Sequence, residues 1–136
     1  MQYTTLINVK LYKINKMGRY YNGDIDGKFM FAVQSSAAGE RFEAFDIEPQ
    51  YVEYCVKRES YGHIEKTLNE IEKTGAVKRV KNMFDNVDGW NDEIQKNYNV
   101  SDKDVSEYAD WVLGSKMKSF FDENKEEDYL YYNAEF

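Results

Sequence analysis

The chain has 136 residues, the size of one domain, and we expect a single globular domain spanning residues 1–136. Hydrophobic residues make up 42% of the sequence and aromatic residues 16%, against a single proline, so burial can offset chain entropy, which argues strongly against global disorder. The single cysteine excludes an intrachain disulfide, and with it a secreted scaffold held together by disulfide bridges.

The start of the sequence does not resemble a signal peptide. Residues 1–13 alternate polar and apolar side chains and lack both a continuous apolar segment and a small-residue cleavage site. No stretch of the sequence approaches the length that spans a membrane. We therefore expect a cytoplasmic protein with no membrane partner.

The net charge of −7 is unevenly distributed along the chain. Residues 1–81 hold thirteen basic and eleven acidic residues (+2), whereas residues 82–136 hold five basic and fourteen acidic ones (−9). Negative charge disfavours binding to phosphate backbones, so we expect no direct contact with nucleic acid. The second half presents either an ordinary solvated surface or a surface for a partner with a positive groove.

The first half of the chain has the alternating pattern of β-strands. Apolar side chains alternate over residues 3–14, 28–34 and 50–56, which predicts three strands, and residues 19–21 are compatible with an extended segment. The turn signals Asn-Gly and Asp-Gly within residues 22–27 predict that the first two strands form an antiparallel hairpin or meander. Ser35 and Ser36, which follow, predict a short helical turn.

The second half has helical periodicity. Apolar residues recur at helical spacing over residues 60–74, 77–87, 90–98 and 101–121, and the last of these ranges begins with a capping box. Residues 122–128 are an acidic connection and residues 129–136 read as a final strand. Together these patterns predict an α+β fold. Its antiparallel sheet of about four strands packs against three or four helices, and the C-terminal strand closes the sheet.

The sequence offers little for catalysis. His63 is the only histidine, which excludes metal centres with several histidine ligands, and a thiolate nucleophile would need it to lie beside Cys55. Residues 22–27 imitate the start of a calcium loop, but the twelfth position is Val33 instead of glutamate. We therefore predict no enzymatic activity, no catalytic residue, no metal and no cofactor.

A possible ligand site lies where the second predicted strand runs into the serine-capped turn. Backbone N–H groups and hydroxyls there would point at one spot, a geometry that suits phosphate or carboxylate, although ordinary helix capping is the simpler explanation. Nearby side chains would add charge and stacking surface. The candidate ligand-binding residues are Arg19, Tyr20, Tyr21, Gln34, Ser35, Ser36 and Arg41.

A second possible site is the acidic surface of the last helix and the connection after it. Carboxylates spaced along the solvent side of a helix can imitate the charges of a phosphate chain, although solubility alone also explains them. The candidate partner-binding residues are Asp104, Glu107, Asp110, Asp122, Glu123, Glu126, Glu127 and Asp128.

The segment from Arg19 to Ser36, RYYNGDIDGKFMFAVQSS, resembles small uncharacterised proteins of phage type that share an RYYxGDIxGKFxFxVQSS-like segment. The similarity continues around residues 48–54, 89–93 and 113–116, so it covers most of the chain. The resemblance implies a viral or mobile-element origin, where small acidic domains often block host defence nucleases. It implies no activity and no site residues.

These observations lead to two functional hypotheses. The first is a noncatalytic, anti-CRISPR-like inhibitor in the host cell cytoplasm, whose acidic surface binds the basic nucleic-acid-binding groove of a host defence protein. The alternative is a binding protein or sponge for a nucleotide-like signal, which would use the turn at residues 34–36. Monomer and homodimer are both compatible with the sequence.

Overall fold

The computed structural model describes residues 20–30, 33–35, 37–48 and 53–135, which form an α+β fold. The strands are β1 Tyr20–Gly23, β2 Gly27–Lys28, β3 Phe45–Glu48, β4 Glu53–Lys57 and β5 Tyr129–Glu135. The α-helices are α1 Tyr61–Lys73, α2 Ala76–Asn86, α3 Asp92–Asn97 and α4 Asp102–Glu123, and short 3₁₀ helices cover Ala38–Phe42 and Arg58–Ser60. Among these residues no helix has the length and apolar character needed to cross a membrane.

The five strands form one open antiparallel sheet in the order β2-β1-β5-β4-β3. β5, the C-terminal strand, lies at the centre of the sheet, where it pairs with β1 on one side and β4 on the other. The predicted fold class is therefore confirmed. The sheet depends on β5, because the pairings of β1 with β2 and of β3 with β4 form two separate hairpins that β5 joins.

The helices pack on one face of the sheet. Leu130, Tyr132 and Ala134 alternate along β5 toward this face and are buried. Tyr132 is completely buried and its ring stacks on that of Tyr54 in β4, with centroids 5.4 Å apart. The long helix α4 contacts both α1 and α2 across the core, so α4 is the element that joins the helices into one layer.

The capping box at the start of α4 forms as predicted. The Ser101 side chain accepts a hydrogen bond from the backbone N–H of Asp104, and the Asp104 carboxylate accepts one from the backbone N–H of Ser101. These two bonds satisfy donors that a helix start leaves without intrahelical partners. The predicted helices over residues 60–74, 77–87 and 90–98 correspond to α1, α2 and α3.

The strands of the first half differ from the prediction. The strand expected over residues 28–34 ends at Lys28, because Met30 and Gln34 close a tight turn. In this turn the backbone N–H of Gln34 donates to the Met30 carbonyl, and the Gln34 side-chain oxygen accepts from the Met30 N–H. β3 was not predicted. The predicted strand over residues 3–14 and the start of that over residues 50–56 lie outside the described residues.

Cys55 and His63 lie in different layers of the fold. Cys55 of β4 is buried, pairs with Tyr131 of β5 and faces away from the helices, and burial raises the pKa of its thiol. His63 is on α1, where its Nε2 lies 3.0 Å from the carbonyl oxygen of Arg41. A thiolate nucleophile activated by histidine needs the two side chains in contact, so this arrangement does not supply one.

The calcium-like turn is a hairpin connection between β1 and β2. The Asp24 carboxylate accepts a hydrogen bond of 2.8 Å from the backbone N–H of Tyr131, so it ties the turn to β5. Across the described ranges, no group of three or more His, Cys, Asp or Glu side chains is arranged to hold a metal ion.

Lys116 of α4 lies beneath this hairpin. Its ammonium group donates to the Asp26 carbonyl (2.8 Å) and the Tyr21 hydroxyl (3.2 Å), and burial lowers the pKa of Lys116 from 10.5 to about 8. Between these two pKa values the unfolded chain holds a proton that the folded protein has lost, so the Lys116 contribution to stability increases as the pH rises.

We therefore expect the wild-type protein to gain stability relative to Lys116→Met when the pH is raised from about 7.5 to about 9.5, by about 1 to 2 kcal/mol. The difference between their free energies of unfolding, measured by urea denaturation at the two pH values, checks this. The window ends just below the ordinary tyrosine pKa, and phenols that ionise in the unfolded chain do so in both proteins, so their effect cancels in the difference. A difference that stays constant would contradict the expectation.

Candidate functional site

Two of the candidate ligand-binding residues bind a carboxylate of the same chain. The Gln34 side-chain amide donates to one oxygen of Asp110 and Arg41 donates to the other, each at 3.0 Å. The second Arg41 nitrogen lies 2.9 Å from the Glu107 carboxylate. Two of the side chains predicted to bind a ligand, Gln34 and Arg41, are therefore already bonded to carboxylates of α4.

Asp110 is held in an unusual environment for a carboxylate. It is only 9% exposed, and burial raises its pKa, although hydrogen bonds from Arg41 and Gln34 act in the opposite direction. Both carboxylate oxygens of Asp110 accept hydrogen bonds from side chains of the segment before β3, so Asp110 connects α4 to that segment. This is a structural role, because a buried carboxylate needs such partners. Asp110 therefore cannot bind a partner protein without breaking these contacts.

The remaining candidate ligand-binding residues are dispersed. Ser35 accepts a hydrogen bond from the backbone N–H of Ala37, as in ordinary turns. Tyr21 is buried against Lys116, while the Tyr20 ring lies under the Lys28 ammonium group at 5.1 Å. Arg19 and Ser36 lie outside the described residues.

Two of the candidate partner-binding carboxylates are engaged elsewhere in the fold. Asp104 forms a two-pronged ion pair with Arg79 of α2, at 3.0 and 2.8 Å, and this guanidinium holds the pKa of Asp104 below its usual range. Asp122 accepts hydrogen bonds from the Tyr61 hydroxyl and from Lys118, which lower its pKa. With Glu107 and Asp110, four of the eight predicted acidic residues are thus paired inside the chain.

The other four predicted acidic residues lie at the end of α4 and in the connection to β5. All four side chains are exposed, and within the described part of the chain none of them forms an ion pair. We call this group the acidic loop: Glu123, Glu126, Glu127 and Asp128. The acidic surface expected from the sequence is therefore smaller than predicted and is concentrated in this loop.

The Arg58 side chain holds the acidic loop in place by binding carbonyl oxygens of the loop backbone. Its guanidinium donates to the carbonyl oxygens of Phe121, Asn124 and Glu127, and lies 4.9 Å from the centre of the Phe121 ring. The Arg58 backbone N–H also donates to the carbonyl of Asp128 at 2.8 Å. A cation at a helix C-terminus is favoured by the helix dipole. Since Arg58 binds carbonyl groups, the loop is held in one shape while its carboxylates remain directed to solvent.

Exposed aromatic side chains lie next to the acidic loop. Tyr129 directly follows Asp128, is 46% exposed, and its ring centroid lies 6.1 Å from that of Tyr131. On the same outer face of the sheet, β3 exposes Phe45 and Ile47. Sequence reasoning did not select these residues, because apolar alternation does not say which face of a strand is covered. They provide apolar contact area beside a concentrated negative charge.

Comparisons with protein-family models, with curated proteins and with solved structures found no match for this chain.

Proposed function

We propose that the protein is a noncatalytic inhibitor of phage or mobile-element origin that binds the basic, nucleic-acid-binding surface of a host defence protein such as a CRISPR effector. The observation that carries the proposal is the acidic loop. Its four carboxylates have no ion partner within the described part of the chain, while Arg58 binds the loop backbone.

The rigid presentation of charge is what distinguishes this loop from an ordinary solvated surface. A partner surface that binds nucleic acid is complementary to closely spaced anions, and a loop whose backbone is already held by Arg58 loses less conformational freedom on binding. Tyr129 and Tyr131 would add the aromatic contacts that dominate the energy of many interfaces. The nucleotide-binding alternative is less favoured, because Gln34 and Arg41 already bind Asp110.

The proposal is tested by competition with DNA. Guide-loaded CRISPR effectors of several types are mixed with labelled target DNA and increasing amounts of the protein, and DNA binding is measured by gel shift. We expect the wild-type protein to displace DNA from at least one effector. The triple variant Glu123→Gln, Glu126→Gln, Glu127→Gln should inhibit about tenfold less well and with a weaker dependence on salt.

A matched triple variant controls for net charge. Glu40, Glu43 and Glu70 are exposed, form no ion pair among the described residues, and lie outside the acidic loop. Their replacement by Gln changes the net charge equally but should leave inhibition unchanged. Arg58→Met makes the net charge more negative, yet it should also weaken inhibition if the shape of the loop matters.

Thermal unfolding of each variant confirms that the fold is retained. The proposal is overturned if the wild-type protein competes with DNA for none of the effectors, or if both triple variants lose inhibition equally.

A further inference from the structure

A groove between α1 and α4 leads away from the acidic loop and has a volume of about 220 Å³. Trp111 and Asp122 of α4 both line the groove and are eleven residues apart in the sequence. At 1.5 Å per residue, these two side chains are about 16 Å apart along the helix axis. Ser115 and Ser119 lie between them and leave space above Leu68 of α1. The groove is therefore elongated and suits an extended or helical segment of a partner.

Trp111, at one end of the groove, already carries a cation from α2 on its ring. The Lys81 ammonium lies 4.5 Å from the centre of the Trp111 ring, and the indole N–H donates to the Glu72 carboxylate at 3.2 Å. The ring of Tyr108, which is buried, stacks on that of Trp111 with centroids 5.8 Å apart and so fixes its orientation. An aromatic face with a carboxylate beside it is the usual environment of a bound cation.

The charge of the groove favours the same class of ligand. Glu65, Glu72 and Asp122 line it, and the one basic side chain in the lining, Lys118, is paired with Asp122. Asp122 also borders the cavity of the acidic loop, so the two surfaces are continuous. Lys118 and Lys125 also lie along this path, but carboxylates outnumber them, so a basic segment would be attracted and a nucleic acid would be repelled.

We propose that this groove binds an arginine-rich segment of the partner. One guanidinium displaces the Lys81 ammonium from the Trp111 ring and bonds to Glu72, and the segment continues along the groove past Asp122 to the acidic loop. Arginine fits better than lysine, because a planar guanidinium can stack on the indole and bind a carboxylate through two N–H groups at once. The inference rests on the proposed function and names the partner chemistry.

Trp111 fluorescence provides a direct test. The sequence contains two tryptophans, so Trp90→Phe makes Trp111 the sole indole reporter. In this background we expect a terminally blocked nonaarginine peptide to quench the emission in a saturable manner. A blocked nonalysine peptide should bind at least about fivefold more weakly, because it lacks the stacking and two-pronged bonding of the guanidinium.

A pair of matched variants locates the binding. Ser115→Gln fills the groove without changing charge, and Ser106→Gln makes the same change on the first turns of α4, outside the groove lining. Ser115→Gln should weaken nonaarginine binding by about tenfold or more, and Ser106→Gln should not. Equal binding by the two variants, or equal affinity for the two peptides, would refute the inference.

The competition assay separates the two proposals. If Ser115→Gln still displaces DNA from the effector like the wild-type protein while the loop triple variant does not, the groove inference fails and the proposed function stands. If the wild-type protein displaces no DNA but the nonaarginine peptide binds in the groove as described, the proposed function fails and the groove inference stands.

Discussion

Gly39→Ala is expected to destabilise the fold by about 2 to 3 kcal/mol, because a Cβ at this position would overlap the hydroxyl group of Tyr132. The Tyr132 ring cannot move aside, since it is completely buried and stacked on Tyr54. Its hydroxyl has no hydrogen-bond partner in the described part of the chain. Tyr132→Phe alone should therefore change stability by less than about 1 kcal/mol.

The double variant makes the expectation specific to this contact. Because Tyr132→Phe removes the overlapping oxygen, it should recover at least about half of the loss caused by Gly39→Ala. Free energies of unfolding of the wild type, both single variants and the double variant, measured by urea denaturation, complete the cycle. If the two substitutions change the free energy of unfolding additively, Gly39→Ala destabilises the fold for a reason other than overlap with the Tyr132 hydroxyl.

Asp110→Ala is expected to cost about 2 to 3 kcal/mol of stability. The substitution leaves the amide of Gln34, which is 5% exposed, without its acceptor and removes one of the two carboxylates that Arg41 binds. The loss stays below that of a fully buried ion pair, because the Arg41 side chain is 36% exposed and water can solvate it.

A conservative and an exposed variant serve as references for Asp110→Ala. Asp110→Asn keeps an acceptor for Gln34 and should lose less, about 1 kcal/mol. Asp122→Ala removes a carboxylate from the exposed surface of the same helix and should cost less than Asp110→Asn. Urea denaturation of the three variants gives the order. A cost for Asp110→Ala no larger than that of Asp122→Ala would show that the buried contacts add nothing to stability.

The helices of this fold could be predicted because their signals are local. Residues 101–121 carry both the apolar stripe and the capping box, and the helix α4 begins directly after the cap residue Ser101 and includes the rest of this range. β3 carries a misleading signal, because Phe45 and Ile47 alternate but remain 43% and 41% exposed on the outer face. The Gln34 side chain ends the expected strand by bonding to Met30, an interaction that periodicity does not report.

The candidate sites were harder to predict because their contacts join distant parts of the chain. Arg41 and Asp110 were assigned to two different sites from the sequence, yet they bind each other across 69 residues. Arg58 stabilises the acidic loop through main-chain carbonyls, so no pattern of side-chain types could reveal it. Residue type alone predicted which groups carry charge, but only the fold determined which charges are neutralised.

The central position of β5 has a consequence for biosynthesis. A ribosome that has translated the chain as far as Asp128 has made β1–β2 and β3–β4 without the strand that bridges them. Until β5 emerges, β1 and β4 have unpaired edges, which are prone to pairing with other chains. We therefore expect the nascent polypeptide to be most prone to aggregation before β5 is available for pairing.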